Sequence, residues 1–328
     1  MKKSLFLLGL LFGFNAFAAE HIATVTTLQG EVKLFTHPSK KLEGPEPHAL
    51  YEGIYYSVQD AKPGQKVEKG NILRTALSGK VQVVFNNGDQ FVVGPGTAYV
   101  VDWDAKKMKL DLMYGRLRGV IEKGGPRSGM TIRTRSATMG VRGTDFFISE
   151  NGMTGHTEVT VVRGEVSVAS KVEAQKAVAV KSGYSAVVAA EPKAEKVAKE
   201  AAPQAKPEAP KPEVQVIKTT QEHFAVVQKA SKIEASEEIK KAIESNPTVA
   251  ETVKKLEEKA AETTLKDIKK TDPALYAQVS QAGPQSVEEL NAKAVQKLAV
   301  DAPKGRKTFN VDGDIEKDAY DQFFKMVD

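Results

Sequence analysis

The chain contains no cysteine among its 328 residues. Disulfides, thiol nucleophiles, thiolate metal sites and a lipid-bearing N-terminal cysteine are therefore excluded. Histidine is scarce, and its five copies, His21, His37, His48, His156 and His223, stand singly rather than at metal-ligand spacing. There is no Gly-x-Ser-x-Gly elbow and no His-Glu-x-x-His pair. Gly124 and Gly129 have the spacing of a phosphate loop, but Met130 stands where the lysine is required and a strand pattern follows. No cofactor is expected, and a binding rather than enzymatic role follows from these absences. A Ser-His-Asp site assembled only in space leaves no sequence signature.

Long apolar runs are also missing after the N-terminus. Lys2 and Lys3 precede an apolar run from Leu5 to Phe14, and Ala16-Phe17-Ala18 places small residues at the two positions a signal peptidase reads. Residues 1–18 thus read as a signal peptide, and the mature chain is expected to begin at Ala19. The run is shorter than the roughly 20 residues of a spanning helix, and no later stretch qualifies. The expected location is periplasmic, with release outside the cell as the alternative, and no membrane span after cleavage.

What the chain does have is a change of period. From Ile22 to Phe35, and again from Asn71 to about Ala190, apolar and polar residues alternate in short runs separated by turn residues. Asn87-Gly88 and Asn151-Gly152 are hairpin signals, because both residue types tolerate positive φ. The count is about a dozen strands, the spacing of a sandwich, barrel or β-solenoid. Between them, residues 36–65 carry Pro38, Pro45, Pro47 and Pro63 with Tyr51, Tyr55 and Tyr56, and read as an insertion with little regular structure. Residues 191–215 hold prolines 192, 203, 207, 210 and 212 and read as an extended linker. Beyond it the period becomes helical: Asn246-Pro247 and Asp272-Pro273 are cap-plus-proline starts, and Ser286 with Glu289 is a capping box. Four or five helices are expected over residues 216–328, tethered to a mainly β domain spanning 19–190.

Two groups of charged residues invite functional readings. Seven of the nine arginines lie between Arg116 and Arg163, and Arg116/Arg118 and Arg133/Arg135 alternate along their strands. If the two faces coincide they form a stripe for carboxylates or phosphates; the other reading is a solvated outer face. Asn310, Asp312, Asp314, Asp318 and Asp321 place oxygen side chains as in a calcium loop, with Ile315 where glycine is needed and Lys317 where an apolar residue docks. The alternative there is an acidic helix start ahead of Tyr320, Phe323 and Phe324. Nucleic acid is not expected, since the stripe lacks interleaved aromatics.

The strongest local pattern is Val141-Arg142-Gly143-Thr144 followed by Asp145-Phe146-Phe147, with Gly140 and Gly143 marking a sharp corner. Gly30-Glu31-Val32, Gly70, Asn87-Gly88-Asp89, Gly115-Arg116-Leu117 and Gly164-Glu165-Val166 stand in order around it. In this order and spacing the chain resembles the FecR family over about residues 22–189. The resemblance implies a β-rich module of solenoid or sandwich type, with Gly140, Gly143 and Thr144 at its motif corner. It also implies envelope regulators that relay receptor occupancy, although this chain lacks the cytoplasmic segment and single span of the regulators. The expected partner is an envelope protein bound by a scaffold or signalling module. The alternative is an envelope polysaccharide or peptidoglycan, with Tyr51, Tyr55 and Tyr56 stacking on sugars.

Overall fold

The computed structural model describes residues 21–42, 44–45, 47–104, 107–123, 129–171, 176–190, 214–282, 286–301 and 324–327. The strands are β1 (His21–Gln29), β2 (Val32–Ser39), β3 (His48–Tyr51), β4 (Ile54–Asp60), β5 (Lys66–Glu68), β6 (Ile72–Thr75), β7 (Lys80–Phe85), β8 (Gln90–Val93), β9 (Thr97–Asp104) and β10 (Lys107–Val120). They continue as β11 (Met130–Arg133), β12 (Ala137–Val141), β13 (Asp145–Glu150), β14 (Thr157–Arg163), β15 (Glu165–Ser170), β16 (Val178–Lys181), β17 (Tyr184–Val188), β18 (Val214–Lys218) and β19 (Lys325–Val327). The helices are α1 (Gln221–Ser231), α2 (Glu237–Glu244), α3 (Pro247–Thr271), α4 (Pro273–Val279) and α5 (Val287–Asp301).

Two sheets share one long strand. The first runs β5-β1-β7-β8-β10-β13-β14-β17-β18, antiparallel throughout. The second runs β19-β3-β4-β2-β6-β9-β10-β11-β12-β15-β16, parallel only between β10 and β11. β10 serves both: Lys107–Tyr114 pair with β9 in the second sheet, and Gly115–Val120 with β13 in the first. Gly115, at φ +96, lies where it passes from one sheet to the other; a Cβ there would sit 2.3 Å from Thr97 Oγ1.

Period-two alternation sorts the side chains into three apolar layers. Phe146, Ile148, Val159 and Val161 point into the core between the sheets, with Leu34, Leu73, Phe91, Tyr99 and Ile132. Their sequence neighbours Phe147 and Val162 point the other way and join Phe224, Ile268, Leu275, Leu290 and Val295 beneath the helices. On the far side Phe35, Ile72, Ala98 and Met113, neighbours of core residues Leu34, Leu73, Tyr99 and Leu112, form an outer cluster with Tyr56, Tyr114 and Phe324. β13 and β14 carry apolar residues toward both sides, Phe147 and Val162 among polar neighbours on the helix side, because both faces are covered.

Three sequence expectations are corrected. Residues 36–65 contain regular structure, for β2 ends at Ser39 and β3 and β4 form a hairpin beside it. The prolines misled because Pro45 and Pro47 lie between strands, while Glu52 and Gly53, at φ 48 and 77, make the tight β3–β4 turn. The stretch expected as linker to 215 and helix from 216 instead includes β18, which extends the first sheet by pairing Val188 with Val214 and Tyr184 with Lys218. Finally, the helices are not merely tethered: they lie on the first sheet and share an apolar layer with it.

The helix starts match the sequence signals. Asn246 accepts a hydrogen bond from the Val249 amide, Asp272 from Leu275 and Ser286 from Glu289. Val253, Ala260 and Ile268 are the buried face of α3. No helix among the described residues is long and apolar enough to cross a membrane.

Candidate functional site

The Val141–Asp145 signature makes a corner and an ionic anchor at once. Gly143 has φ +66, and a Cβ there would sit 2.1 Å from Lys123 Cβ and 2.3 Å from its Cα. Only glycine fits both demands. Thr144 exchanges backbone hydrogen bonds with Ile121, at 3.0 Å each, and its hydroxyl donates to the Glu165 carbonyl. Gly164 closes the corner, since its own Cβ would lie 2.5 Å from the Gly143 carbonyl oxygen. Gly140 is different: it is an exposed strand residue whose Cβ would meet nothing nearer than Ser167 Cβ at 3.8 Å.

Asp145 faces the helices and starts a buried chain of charges. Arg118 grips it with two hydrogen bonds, Nε to Oδ1 at 2.9 Å and Nη2 to Oδ2 at 2.7 Å. Arg163 Nη1 lies 3.7 Å from the same carboxylate, while its Nε and Nη2 donate to Asp267 Oδ2 on α3 at 2.9 and 2.8 Å. Asp267 Oδ1 accepts from the Lys123 amide beside the Gly143 corner. Arg118 also donates to the Asn291 carbonyl on α5 and lies 4.7 Å over the Phe147 ring. Two cations and two anions thus alternate from sheet to helix with no net charge. Burial raises the pKa of Asp267, opposed by its hydrogen bonds from Arg163 and Lys123.

A second polar cluster seats α1. His223 Nε2 lies 2.9 Å from Thr160 Oγ1, which meets Ser185 Oγ, which in turn meets Thr219 Oγ1 at 2.8 Å. Glu158 Oε1 is 3.4 Å from the same imidazole nitrogen. Burial drives the two toward neutrality, lowering His223 to about 4 and raising Glu158 to about 7, so their proximity is not a salt bridge at neutral pH. Serine, histidine and carboxylate do stand together here, but Ser185 is 1% exposed and its hydroxyl meets Thr160 rather than the imidazole. The cluster holds a helix to a sheet. On the opposite face of the same sheet, Glu150 is pushed up to about 7 by burial and accepts from Thr157, which also meets Thr134 and Ser136.

Between the first sheet and the helices lies a cleft of about 1330 Å³. Its floor is Thr27, Gln82, Gln90, Val92 and Arg118, and its walls come from α1, α2, α3 and α5. Gln82 donates to Gln90, whose amide donates to Thr264 of α3, so the floor is tied to one wall. Asn291 Oδ1 is buried at the wall with no hydrogen-bond partner among the described residues. The rim carries both signs, including Lys229, Lys232 and Lys254 against Glu257, Glu258 and Glu288. Lys80 donates to the Lys229 and Lys232 carbonyls at the α1 C-terminus.

The expected arginine stripe is not formed. Arg116 and Arg118 belong to the first sheet, Arg133 to β11 in the second, and Arg135 to the turn that follows. Arg118 is buried, Arg116 is half-buried, and the exposed Arg133 is held by Asp111 through two 2.5 Å hydrogen bonds. Arg116 and Arg118 do share one face of β10, but that face is roofed by helices, and Arg135 stands in the turn rather than on the strand of Arg133. Tyr51, Tyr55 and Tyr56 form no sugar platform: Tyr56 is buried and Tyr51 packs with it in the outer cluster, while Tyr55 alternates to the other face of β4. The calcium-loop residues Asn310, Asp312, Asp314, Asp318 and Asp321 lie outside the described residues. Among the described residues no group of three or more His, Asp or Glu is placed to hold a metal.

Sequence reasoning passed over Arg163, Asp267 and Asn291. One signal was present: Val253, Ala260 and Asp267 are spaced by seven on α3, so a carboxylate sits on the apolar stripe and needs a buried partner.

Residues 71–167 match the family model described as FecR protein, so this stretch, from Asn71 to Ser167, is a FecR domain. The match is narrower than residues 22–189, and it holds the corner, Arg118 and Arg163. Two crystal structures of a "putative anti-sigma factor" from Parabacteroides distasonis ATCC 8503, at 2.50 and 1.65 Å resolution, each align at 13% identity and TM-score 0.35. Each alignment covers 45% of this chain and 59% of that one, so the chain spans less than two thirds of those proteins. No curated protein matches.

Proposed function

We propose that this chain is a non-enzymatic module of the bacterial envelope, in which the FecR domain supports a helical layer and the cleft between them receives an envelope partner. The observation that carries the reading is the commitment of Arg118, Asp145 and Arg163 to α3 and α5. The charged groups of the FecR domain hold a lid, leaving the cleft with its polar floor and mixed-charge rim as the recognition surface. A partner entering there would push on helices that are joined to the sheet by one apolar layer and a buried chain of charges, which is how a module without chemistry can relay occupancy. The N-terminal Lys2-Lys3, apolar run and Ala16-Phe17-Ala18 support a periplasmic location, testable as a mature N-terminus at Ala19 in the periplasmic fraction.

The test is a photo-crosslinking side chain placed at Lys229 or Glu258 on the cleft rim, activated in intact envelopes. One partner protein captured from both rim positions supports the reading. Capture of the same partner from Arg133, on the other sheet, or from no rim position overturns it. Co-sedimentation of purified protein with cell-wall sacculi separates the polysaccharide alternative, which lost its tyrosine platform but not its charged rim.

A further inference from the structure

On the face away from the helices, the second sheet ends in an edge that the chain fills with its own C-terminus. β19 adds to β3 in antiparallel register, Lys325 opposite Leu50, Met326 opposite Ala49 and Val327 opposite His48. One residue earlier, Phe324 is 2% exposed, its ring 5.1 Å from Phe35 edge-on and 5.4 Å from Tyr51. Its pocket, with Ala49, Tyr56, Ile72, Ala98, Met113 and Tyr114, is built by strands β2, β3, β4, β6, β9 and β10. The acceptor therefore belongs entirely to the β module. The donor is a strand of three paired residues led by one aromatic anchor. This is the arrangement of peptide recognition by strand addition: backbone ladder for affinity, side-chain pocket for selection.

Two features make the donor exchangeable. Among the described residues it is held by three registered pairs and one ring, whereas the acceptor edge without it would present unpaired backbone beside an apolar pocket. Between Asp301, where α5 ends, and Phe324 lie 22 residues, which can span at most roughly 70–80 Å when extended. That reach is enough for the same strand to enter the same pocket on another molecule. We propose that the β3 edge and its Phe324 pocket form a strand-acceptor site whose second occupant is the C-terminal strand of another copy of this chain, giving a strand-exchanged dimer. The closure is isologous, since each copy gives one strand and takes one. Specificity rests on the aromatic lead, because a segment with a small residue at that position leaves the pocket empty beside Phe35 and Tyr51.

The absence of cysteine makes the test clean, because any disulfide formed must join introduced thiols. Opposed residues of an antiparallel pair lie within the Cα separation a disulfide spans. In the full chain, Leu50→Cys with Lys325→Cys should form an intramolecular bridge in dilute solution. The decisive sample mixes a chain carrying only Leu50→Cys with one carrying only Lys325→Cys under mild oxidation. The expected result is a disulfide-linked heterodimer whose yield rises with protein concentration and falls at least tenfold when the Lys325→Cys chain also carries Phe324→Ala. Circular dichroism and the intact acceptor chain keep a folding defect of the donor from being mistaken for loss of exchange. A heterodimer yield no greater than that of Leu50→Cys mixed with a Lys181→Cys control, or one indifferent to Phe324→Ala, overturns the proposal. Failure of the intramolecular bridge overturns the site itself.

Discussion

Arg118 on β10 and Asp145 on β13 lie two registers apart on neighbouring strands and meet through a two-pronged hydrogen bond, with 3% and 0% of their surfaces exposed. Removing one partner strands a charge in a dry layer, which typically costs about 3–5 kcal/mol. Asp145→Ala should therefore lower stability by about that amount, read from urea midpoints. Replacing both with apolar residues, Arg118→Met with Asp145→Leu, should recover part of the loss, because the pair itself contributes little beyond satisfying its own desolvation. Arg133→Gln, breaking an exposed pair with Asp111, should change stability by under about 1 kcal/mol. Equal effects at Arg118 and Arg133 would contradict the assignment of one to the covered face.

Gly143 and Gly140 separate corner from strand. Gly143→Val meets both a positive φ and the Lys123 backbone, and should cost several kcal/mol or prevent folding. Gly140→Ala has neither obstacle and should be neutral or slightly stabilising, within about 1 kcal/mol. Thermal midpoints of the two variants decide it, and a tolerant Gly143→Val would remove the physical reason for the signature.

Acidification should first strengthen the fold. Burial raises Glu150 and Glu158 from 4.5 to about 7 and Asp89 from 3.8 to about 6. A raised carboxylate binds its proton more readily in the folded state, so its stabilisation is present at low pH and is lost as pH rises through those values. His223, lowered from 6.5 to about 4, works in the opposite sense, its contribution being lost as pH falls from 6.5 toward 4. The carboxylates outnumber the imidazole, so stability at pH 5.5 should exceed that at pH 7.5 by on the order of 2 kcal/mol. Glu150→Gln with Glu158→Gln should flatten or reverse the slope. A wild-type midpoint that falls steadily from pH 7.5 to 5.5 would show that these carboxyls are not held in the dry sites described.

Cleavage of the proline-rich stretch should not separate the chain into free pieces. Residues 191–213 carry the composition that proteases cut first. β18 pairs with β17, however, and Phe224, Ile268 and Leu290 share a layer with Phe147 and Val162. The two fragments should therefore elute together under native conditions and part only in denaturant. Separate elution would contradict the docked helical layer.

Most strands between Asn71 and Val188, the hairpin at Asn87-Gly88, the helix starts and the Gly143 corner were legible, because each rests on local chemistry. The Asn151 turn was legible only in part: its left-handed residue is Gly155, at φ 69, and Asn151 works by accepting from the Met153 and Thr154 amides. What alternation could not tell is whether a face is covered. Arg116 and Arg118 alternate like solvent-facing residues, and only the roof of α3 and α5 makes Arg118 a core group. The run Asp145-Phe146-Phe147-Ile148 held the clue, since adjacent large apolar residues on a strand require a layer on each side. The β3–β4 hairpin was obscured by prolines outside the strands, and the β18 pairing by its distance from β17 in sequence.

The central claim is that the helices form a distinct layer latched to the FecR domain through Asp267, above the cleft. Hydrogen exchange read by mass spectrometry, comparing wild type with Asp267→Ala, tests it most directly. The variant leaves Arg163 without its two hydrogen bonds to α3 while every strand of the sandwich keeps its ladder. The account predicts faster exchange across residues 247–301, with the FecR domain at 71–167 protected as in wild type. Unchanged exchange in the helices, or a uniform loss of protection across sheet and helices alike, would contradict it.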